Sequence, residues 1–428
     1  MIRLDARDSG FEAAFAALVD ARRDADADVA ADVSAILARV RAEGDVALLD
    51  LTQRFDGFDL DAEGWSISRD ECAAAYAGLA PQLRDALDLA ADRIRAYHAR
   101  QRPADSDWID DTGVRMGARW TAVEAAGLYV PSGRAAYPSS VLMNALPAKV
   151  AGVERLAMVT PTPKGALNQA VLAAAHIAGV DEIWRVGGAQ AVGALAYGTV
   201  RIAPVDVIVG PGNAWVAEAK RQLYGRVGID MVAGPSEILV VADADNDPLW
   251  IAADLLSQAE HDPTSQSILI TDNAAFADAV VAAVEALLPT LSTESSASTS
   301  WDAHGAIILL GSLSGAPQLI DRLAPEHLEL AVADPDALFA RVRHAGSVFL
   351  GRHTPEAIGD YLGGPNHVLP TGRRARFASG LSVTDFMKRT SFLAASPAAM
   401  ATLGPAAATL ADAEGLPAHA ASVRARLS

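Results

Sequence analysis

The sequence predicts an α/β fold in which two parallel sheets follow one another along the chain. Short apolar runs rich in β-branched residues alternate with alanine-rich stretches of helical length. Each run is followed by a turn that contains glycine or proline, which is typical of strand–helix–strand units. The alternation starts near residue 125, stops, and starts again near residue 238. This restart is the reason to expect two sheets rather than one.

Helices are predicted for the first hundred residues. From Val29 to Val40 the apolar residues are spaced 4, 3, 1 and 3 positions apart, on one face of a helix that ends at Gly44. The predicted strands span 156–160, 182–186 and 205–209 in the first sheet, and 238–242, 267–271, 306–310 and 347–350 in the second. A Ser- and Thr-rich stretch at 291–300 is predicted to be a surface loop. After Thr390 we expect helices and no further strands.

The composition is that of a globular protein with two or three domains. The 428 residues are 51% apolar and 21% charged, close to the averages for folded proteins. Thirty-five Lys and Arg against 53 Asp and Glu give a net charge of −18. Because such a chain repels phosphate backbones and has no long basic run to offset this, we expect no nucleic-acid partner.

The lone cysteine, Cys72, excludes a disulfide within one chain and a zinc cluster built from thiolates. It lies in a predicted helix, where we expect a small buried residue. The N terminus has no apolar signal segment. The uncharged stretch at 391–411 is mostly alanine broken by proline and glycine, so we expect two ordinary helices there rather than a membrane span. These features predict a cytoplasmic protein with no membrane partner.

Open α/β sheets bind ligands at the carboxyl ends of their strands, so the turns after the strands are the first candidates for a site. The turn at 210–213 (GPGN) has the Gly-x-Gly start of a dinucleotide-binding fingerprint. Trp215 stands where the third glycine belongs, so an ordinary tight turn remains an alternative. The turn at 187–190 (GGAQ) places small residues and one amide at a helix N-terminus, where backbone N–H groups can face an anion.

A second group of side chains has the chemistry of metal ligands. Gln258 and His261 are three positions apart in a predicted helix and therefore share a face. Imidazole is a good zinc ligand, whereas a neutral amide oxygen is a poor one. Two further pairs join an acid to a histidine: Asp360 with His367, and Glu414 with His419. Taken alone, each pair also fits a structural or solvated role, and the spacing does not establish that the pairs converge.

The third candidate is the adjacent pair Glu326 and His327, which follows Pro325. Proline fixes its own φ angle, so the two side chains project in different directions from a rigid backbone. A carboxylate can activate water and an imidazole titrates near neutral pH, so the pair suits acid–base catalysis. An exposed helix cap is the alternative interpretation.

Seven short motifs occur in order along the chain. They are GLYVP at 127–131, GGAQA at 187–191, GPGN at 210–213, IDMVAGPSE at 229–237, SQAEH at 257–261, PEHLE at 325–329 and GGPNH at 363–367. Together they resemble the histidinol dehydrogenases, the family that completes histidine biosynthesis. The resemblance extends from about residue 20 to the end of the chain, and the stretch 229–261 is highly specific.

The resemblance implies a zinc-dependent oxidation of L-histidinol through L-histidinal to L-histidine, with two NAD⁺ reduced in succession. It implies one zinc per subunit, held by Gln258, His261, Asp360 and His419, the last from a partner subunit. The implied catalytic pair is Glu326, which activates water, and His327, which takes the alcohol proton. The other implied substrate contacts are Ser236, His367 and Glu414, beside His327 and the zinc ligands. The implied cofactor contacts are Tyr129, Gln190 and Asn213.

The resemblance also implies a homodimer with shared active sites, and two incomplete Rossmann-like domains with small helical N- and C-terminal domains. On this basis we expect residues 1–25 to form an N-terminal segment. We expect 26–125 and 236–385 to form the first α/β domain, and 126–235 the second, NAD-contacting one. Residues 386–428 are expected to form a helical domain that reaches the partner subunit.

Two other functions fit some of these residues. A zinc-dependent hydrolase could use Glu326 as the general base that activates water. A non-catalytic relative that binds ligand for regulation is expected to have lost reactive side chains, yet Glu326 and His327 are both present. Aldehyde oxidation through a cysteine thiohemiacetal is not expected, because Cys72 lies in the helical N-terminal part.

Overall fold

The computed structural model describes residues 1–21, 29–132, 137–232 and 234–427. The strands are β1 (Ile2–Asp5), β2 (Ser66–Ile67), β3 (Ser106–Ile109), β4 (Val114–Ala122), β5 (Ala125–Tyr129), β6 (Arg155–Val159), β7 (Glu182–Trp184), β8 (Val207–Val209), β9 (Gly228–Ile229), β10 (Glu237–Ala242), β11 (Gln266–Thr271), β12 (Ala306–Leu309), β13 (His327–Ala331), β14 (Ser347–Leu350) and β15 (Met387–Ala395). The α-helices are α1 (Phe11–Asp20), α2 (Ala30–Glu43), α3 (Asp45–Asp56), α4 (Leu60–Glu63), α5 (Arg69–Gly78), α6 (Pro81–Ala99), α7 (Pro138–Ala151), α8 (Gln169–Ala178), α9 (Gly188–Tyr197), α10 (Ala214–Leu223), α11 (Pro248–Ala259), α12 (Ala274–Leu287), α13 (Glu294–His304), α14 (Ala316–Leu323), α15 (Pro335–Phe339), α16 (Glu356–Tyr361), α17 (Pro397–Ala413) and α18 (Pro417–Arg424).

The described strands form three sheets. Sheet A has the order β1-β12-β11-β10-β13-β14, and all of its strands are parallel. Sheet B has the order β2-β7-β6-β5-β8-β9 and is parallel except for the pairing of β2 with β7. Sheet C is antiparallel, with the order β15-β4-β3. The prediction of an α/β fold with two parallel sheets is confirmed.

Both parallel sheets are covered by helices on both faces, which is why their strands are apolar throughout. In β6, Leu156 and Met158 face the helices α5 to α8, whereas Ala157 and Val159 face α2, α3 and α9. In sheet A, α11, α12 and α13 cover one face and α1 and α14 cover the other. The cores of the two sheets therefore follow from the period-two alternation of side chains along each strand.

The N-terminal helices pack differently from the expected grouping of 26–125 with 236–385. β2 joins sheet B, and α2, α3, α5 and α6 pack on its two faces. Conversely, β1 extends the edge of sheet A, where Phe11 and Phe15 of α1 are buried. Helical periodicity shows which residues face a core but not which sheet supplies that core. The expected boundary at 25/26 lies outside the described residues.

Two local predictions were wrong. The stretch 291–300 was predicted as a surface loop, but α13 begins at Glu294 and buries Ala297 and Trp301 against sheet A. These two apolar residues are one helical turn apart, a signal hidden by the surrounding Ser and Thr. The chain after Thr390 was predicted to lack strands, but β15 continues to Ala395 because it pairs along its whole length with β4.

The C-terminal helices form an arm, residues 396–427, that packs mainly on itself. α17 contacts α18 and the end of β15. The small core between the two helices is made of Ala408, Ala411 and Ala420. Neither these helices nor any other described helix combines the length and apolar character needed to cross a lipid bilayer.

A short connection from β9 to β10 links the two parallel sheets at the edges where the predicted site residues lie. The chain leaves β9 at the carboxyl edge of sheet B, passes through Asp230, and enters β10 at the amino edge of sheet A. The next strand along sheet A is β13, whose first residue pairs in register with Ile238. The start of β10 therefore lies beside the start of β13.

Candidate active site

Glu326 and His327, here called the catalytic pair, lie at the amino end of β13 in the interior of sheet A. α14 ends at Ala324 in the left-handed conformation, with φ 45°, and Pro325 then directs the chain into the strand. Glu326 is 5% exposed and His327 is 4% exposed. The alternative of an exposed helix cap is therefore wrong.

The position of the catalytic pair differs from the expectation that ligands bind at carboxyl ends of strands. In sheet A the polar residues lie in the connections that enter the strands, so the pair is at the amino edge. Gln258 and His261 also precede a strand, β11, and Ser236 precedes β10. Ser236 is half-buried, and its carbonyl accepts a hydrogen bond from the Gln266 N–H at 3.0 Å. The rule for open sheets does not describe these predicted site residues, which lie in the connections that enter β10, β11 and β13 or, for Asp360 and His367, in the chain after β14.

One residue, Glu237, holds both members of the pair through its backbone. Its N–H donates to Oε2 of Glu326 at 2.9 Å. Its carbonyl oxygen lies 3.1 Å from Nδ1 of His327. Because a carbonyl only accepts hydrogen bonds, we assign the proton of neutral His327 to Nδ1. Nε2 then carries the lone pair, and it is buried without a hydrogen-bond partner among the described residues.

Burial keeps His327 in its neutral, basic form. Desolvation, with smaller contributions from the nearby imidazoles of His261 and His367, lowers the pKa of His327 to about 3. Burial, again with a contribution from His261, also lowers the pKa of His367 to about 4. The three histidines are thus close enough to affect one another's charge, and each is favoured in the form that can bind a proton or a metal.

The predicted metal ligands of the main body lie on two helices that pack together, α11 and α16. Gln258, in the last turn of α11, is 1% exposed, and its Oε1 has no hydrogen-bond partner among the described residues. His261 is exposed just beyond α11, yet desolvation by the surrounding protein lowers its pKa. Asp360, on α16, has its pKa raised to about 7 by burial, and its Oδ1 lies 3.9 Å from Nδ1 of His367.

Of the predicted ligands, Asp360 lies in a cluster that could hold a cation, together with His327 and Glu356. One ligand atom from each of His327, Glu356 and Asp360 lies within 4.8 Å of the others. An unsatisfied amide oxygen from Gln258 adds a neutral oxygen donor, since a buried carbonyl without a partner is otherwise costly. Oxygen and imidazole donors in this combination fit zinc and similar divalent ions.

The two predicted site residues of the arm are not part of this cluster within one chain. Glu414 lies at the end of α17 and His419 in α18, and both are exposed. Their helices pack on each other and on β15. If they contribute to a site with Gln258 and Asp360, they do so from a second copy of the chain.

Sequence reasoning missed three acids in or beside the cluster: Glu329 and Glu356, which are buried, and Asp254, which is half-buried. Glu356 is 2% exposed, and its Oε1 lies 3.3 Å from Nδ1 of His327. Burial raises the pKa values of Glu329 and Glu356 well above normal, and neighbouring carboxylates contribute to this increase. Burial also raises the pKa of Asp254, to about 6. The N–H of Glu356 donates to Oε1 of Glu329 at 2.6 Å.

A signal for these acids was present in their spacing. Asp254 and Glu356 each precede a predicted ligand by four positions, one helical turn, on the same face. Glu329 follows His327 by two positions and so points to the same side of β13.

The three predicted cofactor contacts form a second group at the carboxyl edge of sheet B. Tyr129 ends β5, Gln190 lies in the first turn of α9 after β7, and Asn213 caps α10 after β8. The Tyr129 hydroxyl accepts a hydrogen bond from the N–H of Gly188 at 3.0 Å. Tyr129 and Gln190 are buried, whereas Asn213 is exposed.

The turn at 210–213, here called the cofactor turn, lies directly against Tyr129. Gly210 has φ +114°, and a Cβ placed on it would lie 2.2 Å from the carbonyl oxygen of Tyr129. Only glycine fits there. The cofactor turn is thus packed on the last residue of β5 at the carboxyl edge of sheet B, the edge at which open α/β sheets bind ligands.

Comparisons with known proteins agree on one family. The family model for histidinol dehydrogenase matches residues 20–427. The histidinol dehydrogenase of Zymomonas mobilis subsp. mobilis is 67% identical over 428 residues, which is 100% of both chains. That of Rhodospirillum rubrum is 65% identical over 428 residues, covering 100% of this chain and 99% of the other. The crystal structure of histidinol dehydrogenase from Elizabethkingia anophelis superposes with a TM-score of 0.94 at 36% identity, covering 100% of this chain and 98% of that one.

Proposed function

The chain belongs to the histidinol dehydrogenase family of oxidoreductases, and from this premise we propose that it oxidises L-histidinol through L-histidinal to L-histidine at one zinc-containing site. Two NAD⁺ are reduced in succession. The observation that carries the proposal is the buried, unpartnered Nε2 of His327 on a ring whose Nδ1 lies 3.8 Å from Oε2 of Glu326, with both side chains held by the backbone of Glu237. A base and a water-activating carboxylate side by side are what an alcohol oxidation followed by an aldehyde oxidation requires.

In the first oxidation, His327 takes the proton of the substrate hydroxyl at Nε2 while hydride leaves the carbinol carbon. The bound NAD⁺ supplies the hydride acceptor, and the bound zinc supplies a cation that anchors the imidazole and amine of the substrate. The Nδ1–H of His327 remains on the carbonyl of Glu237, which keeps Nε2 directed at the substrate. Ser236 and His367 line the same edge as substrate contacts.

In the second oxidation, Glu326 removes a proton from the water that adds to the aldehyde carbon. Its Oε2 is fixed by the Glu237 N–H, so the carboxylate is oriented before water arrives. His327 returns the proton it took in the first oxidation to the former aldehyde oxygen, which completes the hydrate, and the neutral imidazole then deprotonates that hydrate while a second hydride leaves. Carbon loses four electrons in total, and the added oxygen comes from water.

We propose that Gln258, His261 and Asp360 hold the zinc together with His419 of the partner subunit. The unsatisfied Oε1 of Gln258 and the converging carboxylate of Asp360 support this assignment. Glu414 of the partner subunit is the remaining proposed substrate contact. Because both arm residues are exposed in a single chain, the proposal includes a homodimer with shared sites.

The arm and the strand before it, β15, have the surface expected of such a dimer contact. The large apolar side chains of Leu393 and Leu410 are 70% and 65% exposed, and those of Phe392 and Leu403 are also exposed. Exposed apolar groups on one segment are typical of a protein interface. We propose that residues 386–428 reach the partner, that 126–235 contact NAD⁺, and that the enzyme works in the cytoplasm, where it meets NAD⁺.

Zinc affinity is expected to fall as the pH is lowered. Below about 7 the Asp360 carboxyl is protonated, and zinc must displace that proton, so the apparent dissociation constant rises about tenfold per pH unit. Because the pKa of His261 is lowered, this imidazole does not add to the dependence of the zinc dissociation constant on pH. Titration of metal-free protein with zinc and a chromophoric chelator between pH 6 and 8 measures the effect. Asp360→Asn should bind zinc more weakly and with a flatter pH profile; an equally steep profile would assign the proton to another group.

Cys72→Ser is expected to retain both oxidations. Cys72 is 3% exposed in α5, within the core on one face of sheet B, and burial raises its pKa to about 11. It is therefore a packing residue and not an accessible thiolate. Rates of histidinol and histidinal oxidation by the variant check this. Selective loss of the histidinal step would show that a thiohemiacetal forms after all.

The test of the proposed function is NADH formation with L-histidinol, followed by absorbance together with assay of histidine. The dehydrogenase produces both. The zinc-dependent hydrolase with Glu326 as general base produces no NADH from any alcohol, and that result would replace the proposal.

A further inference from the structure

A buried ion pair lies beneath the cofactor turn and has no part in the chemistry described above. Nζ of Lys220, in α10, contacts Oδ1 of Asp230, just after β9. The side chains of Lys220 and Asp230 are 2% and 0% exposed. Such complete burial of two charges is expensive, because both lose their hydration.

The ion pair makes hydrogen bonds to both backbone groups of one residue of the cofactor turn, Gly210. Oδ2 of Asp230 accepts the hydrogen bond of the Gly210 N–H at 2.8 Å. Nζ of Lys220 donates to the carbonyl oxygen of Gly210 at 3.0 Å. Gly210 is also the residue whose Cα has no room for a side chain against Tyr129. The first residue of the turn is therefore fixed by two charge-assisted hydrogen bonds and one close backbone contact.

Asp230 is also the first residue of the connection from β9 to β10, which ends beside the catalytic pair. Oδ1 of Asp230 accepts from the N–H of Met231 at 2.6 Å, which fixes the exit from sheet B. Seven positions later, the backbone of Glu237 holds Glu326 and His327. The carboxylate of Glu237 is itself fixed by the N–H of Gly372 at 3.1 Å. One short connection is thus anchored to the cofactor turn at its start and to the reacting groups at its end.

The stability of the fold does not by itself explain why a buried ion pair lies beneath the cofactor turn. A buried ion pair is often no better for stability than two uncharged side chains of similar size, whereas directed hydrogen bonds to ions define position. We propose that Lys220 and Asp230 are positioning residues, which hold the cofactor turn at a fixed place relative to the catalytic pair. This inference rests on the proposed function, because it takes the turn at 210–213 to contact NAD⁺.

The test compares Lys220→Met, Asp230→Asn and the double variant. Each single variant leaves one buried charge without its partner and should lower the melting temperature. The double variant keeps side chains of similar size without charges, so it should regain most of that loss. If the pair positions the turn, the double variant still binds NADH at least about tenfold more weakly, as measured by NADH fluorescence, because the hydrogen bonds that fix Gly210 are altered. Its affinity for L-histidinol, measured by calorimetry on the zinc-loaded protein, should stay within about twofold.

Lys149→Met is the matched control. Lys149, in α7, also pairs with an aspartate, Asp181 at 2.9 Å, beside sheet B but with no contact to the cofactor turn. It should leave NADH binding unchanged. If the double variant binds NADH as tightly as the unmutated protein, the ion pair does not position the cofactor turn and contributes at most to stability. Equal losses of NADH and histidinol affinity would also contradict a positioning role. Failure of the unmutated protein itself to bind NADH would instead overturn the proposed function and this inference with it.

Discussion

Glu326→Gln is expected to slow the oxidation of histidinal by roughly 10²- to 10⁴-fold, the usual contribution of a positioned acid or base. The amide has nearly the same shape, and its oxygen can still accept the hydrogen bond that the Glu237 N–H gives to Glu326. It cannot take a proton from water, so hydration of the aldehyde loses its base. The oxidation of histidinol to histidinal needs no water and should change much less.

Stopped-flow measurements of NADH formation, started separately from histidinol and from histidinal, resolve the two half-reactions. Zinc content and melting temperature of the variant serve as controls for an intact site. An equal loss in both half-reactions would show that Glu326 acts in a step common to both, and the assignment of water activation would then be wrong.

His327→Asn is expected to slow both half-reactions, each by roughly 10²- to 10⁴-fold. The asparagine amide can donate to the Glu237 carbonyl as Nδ1–H does, so local structure should persist. It offers no basic nitrogen at the place of Nε2, and both the alcohol and the aldehyde hydrate then keep their protons.

The same half-reaction assay measures this, and histidinol affinity checks that the substrate still binds. Partial recovery of the rate with added imidazole would support the loss of a base as the cause. Retention of the rate of either half-reaction would contradict a shared base at His327.

The strands and the catalytic pair were predictable because their signals are local. Each of the seven predicted apolar runs became a strand, with ends displaced by at most a few residues, since burial on both faces demands continuous apolar side chains. The predicted runs did not include β1, β2, β5, β9 and β13. Pro325-Glu326-His327 was identifiable because two complementary reactive groups stand side by side after a rigid residue.

The remaining features depend on tertiary contacts that no local pattern encodes. Nothing in α2 or α5 shows that they pack on sheet B rather than sheet A. Buried acids such as Glu356 resemble surface acids in sequence, and only the packing around His327 reveals them. The role proposed for His419 depends on a second chain, whose place no local pattern encodes.

The most direct test of the account is the stoichiometry of the complete reaction. With L-histidinol, excess NAD⁺ and zinc-loaded protein, we expect two NADH for each histidine formed, no accumulation of histidinal, and loss of the reaction when a chelator removes the metal. One NADH for each histidinol consumed, with histidinal released as the product, would contradict a single site in which Glu326 and His327 carry out both oxidations.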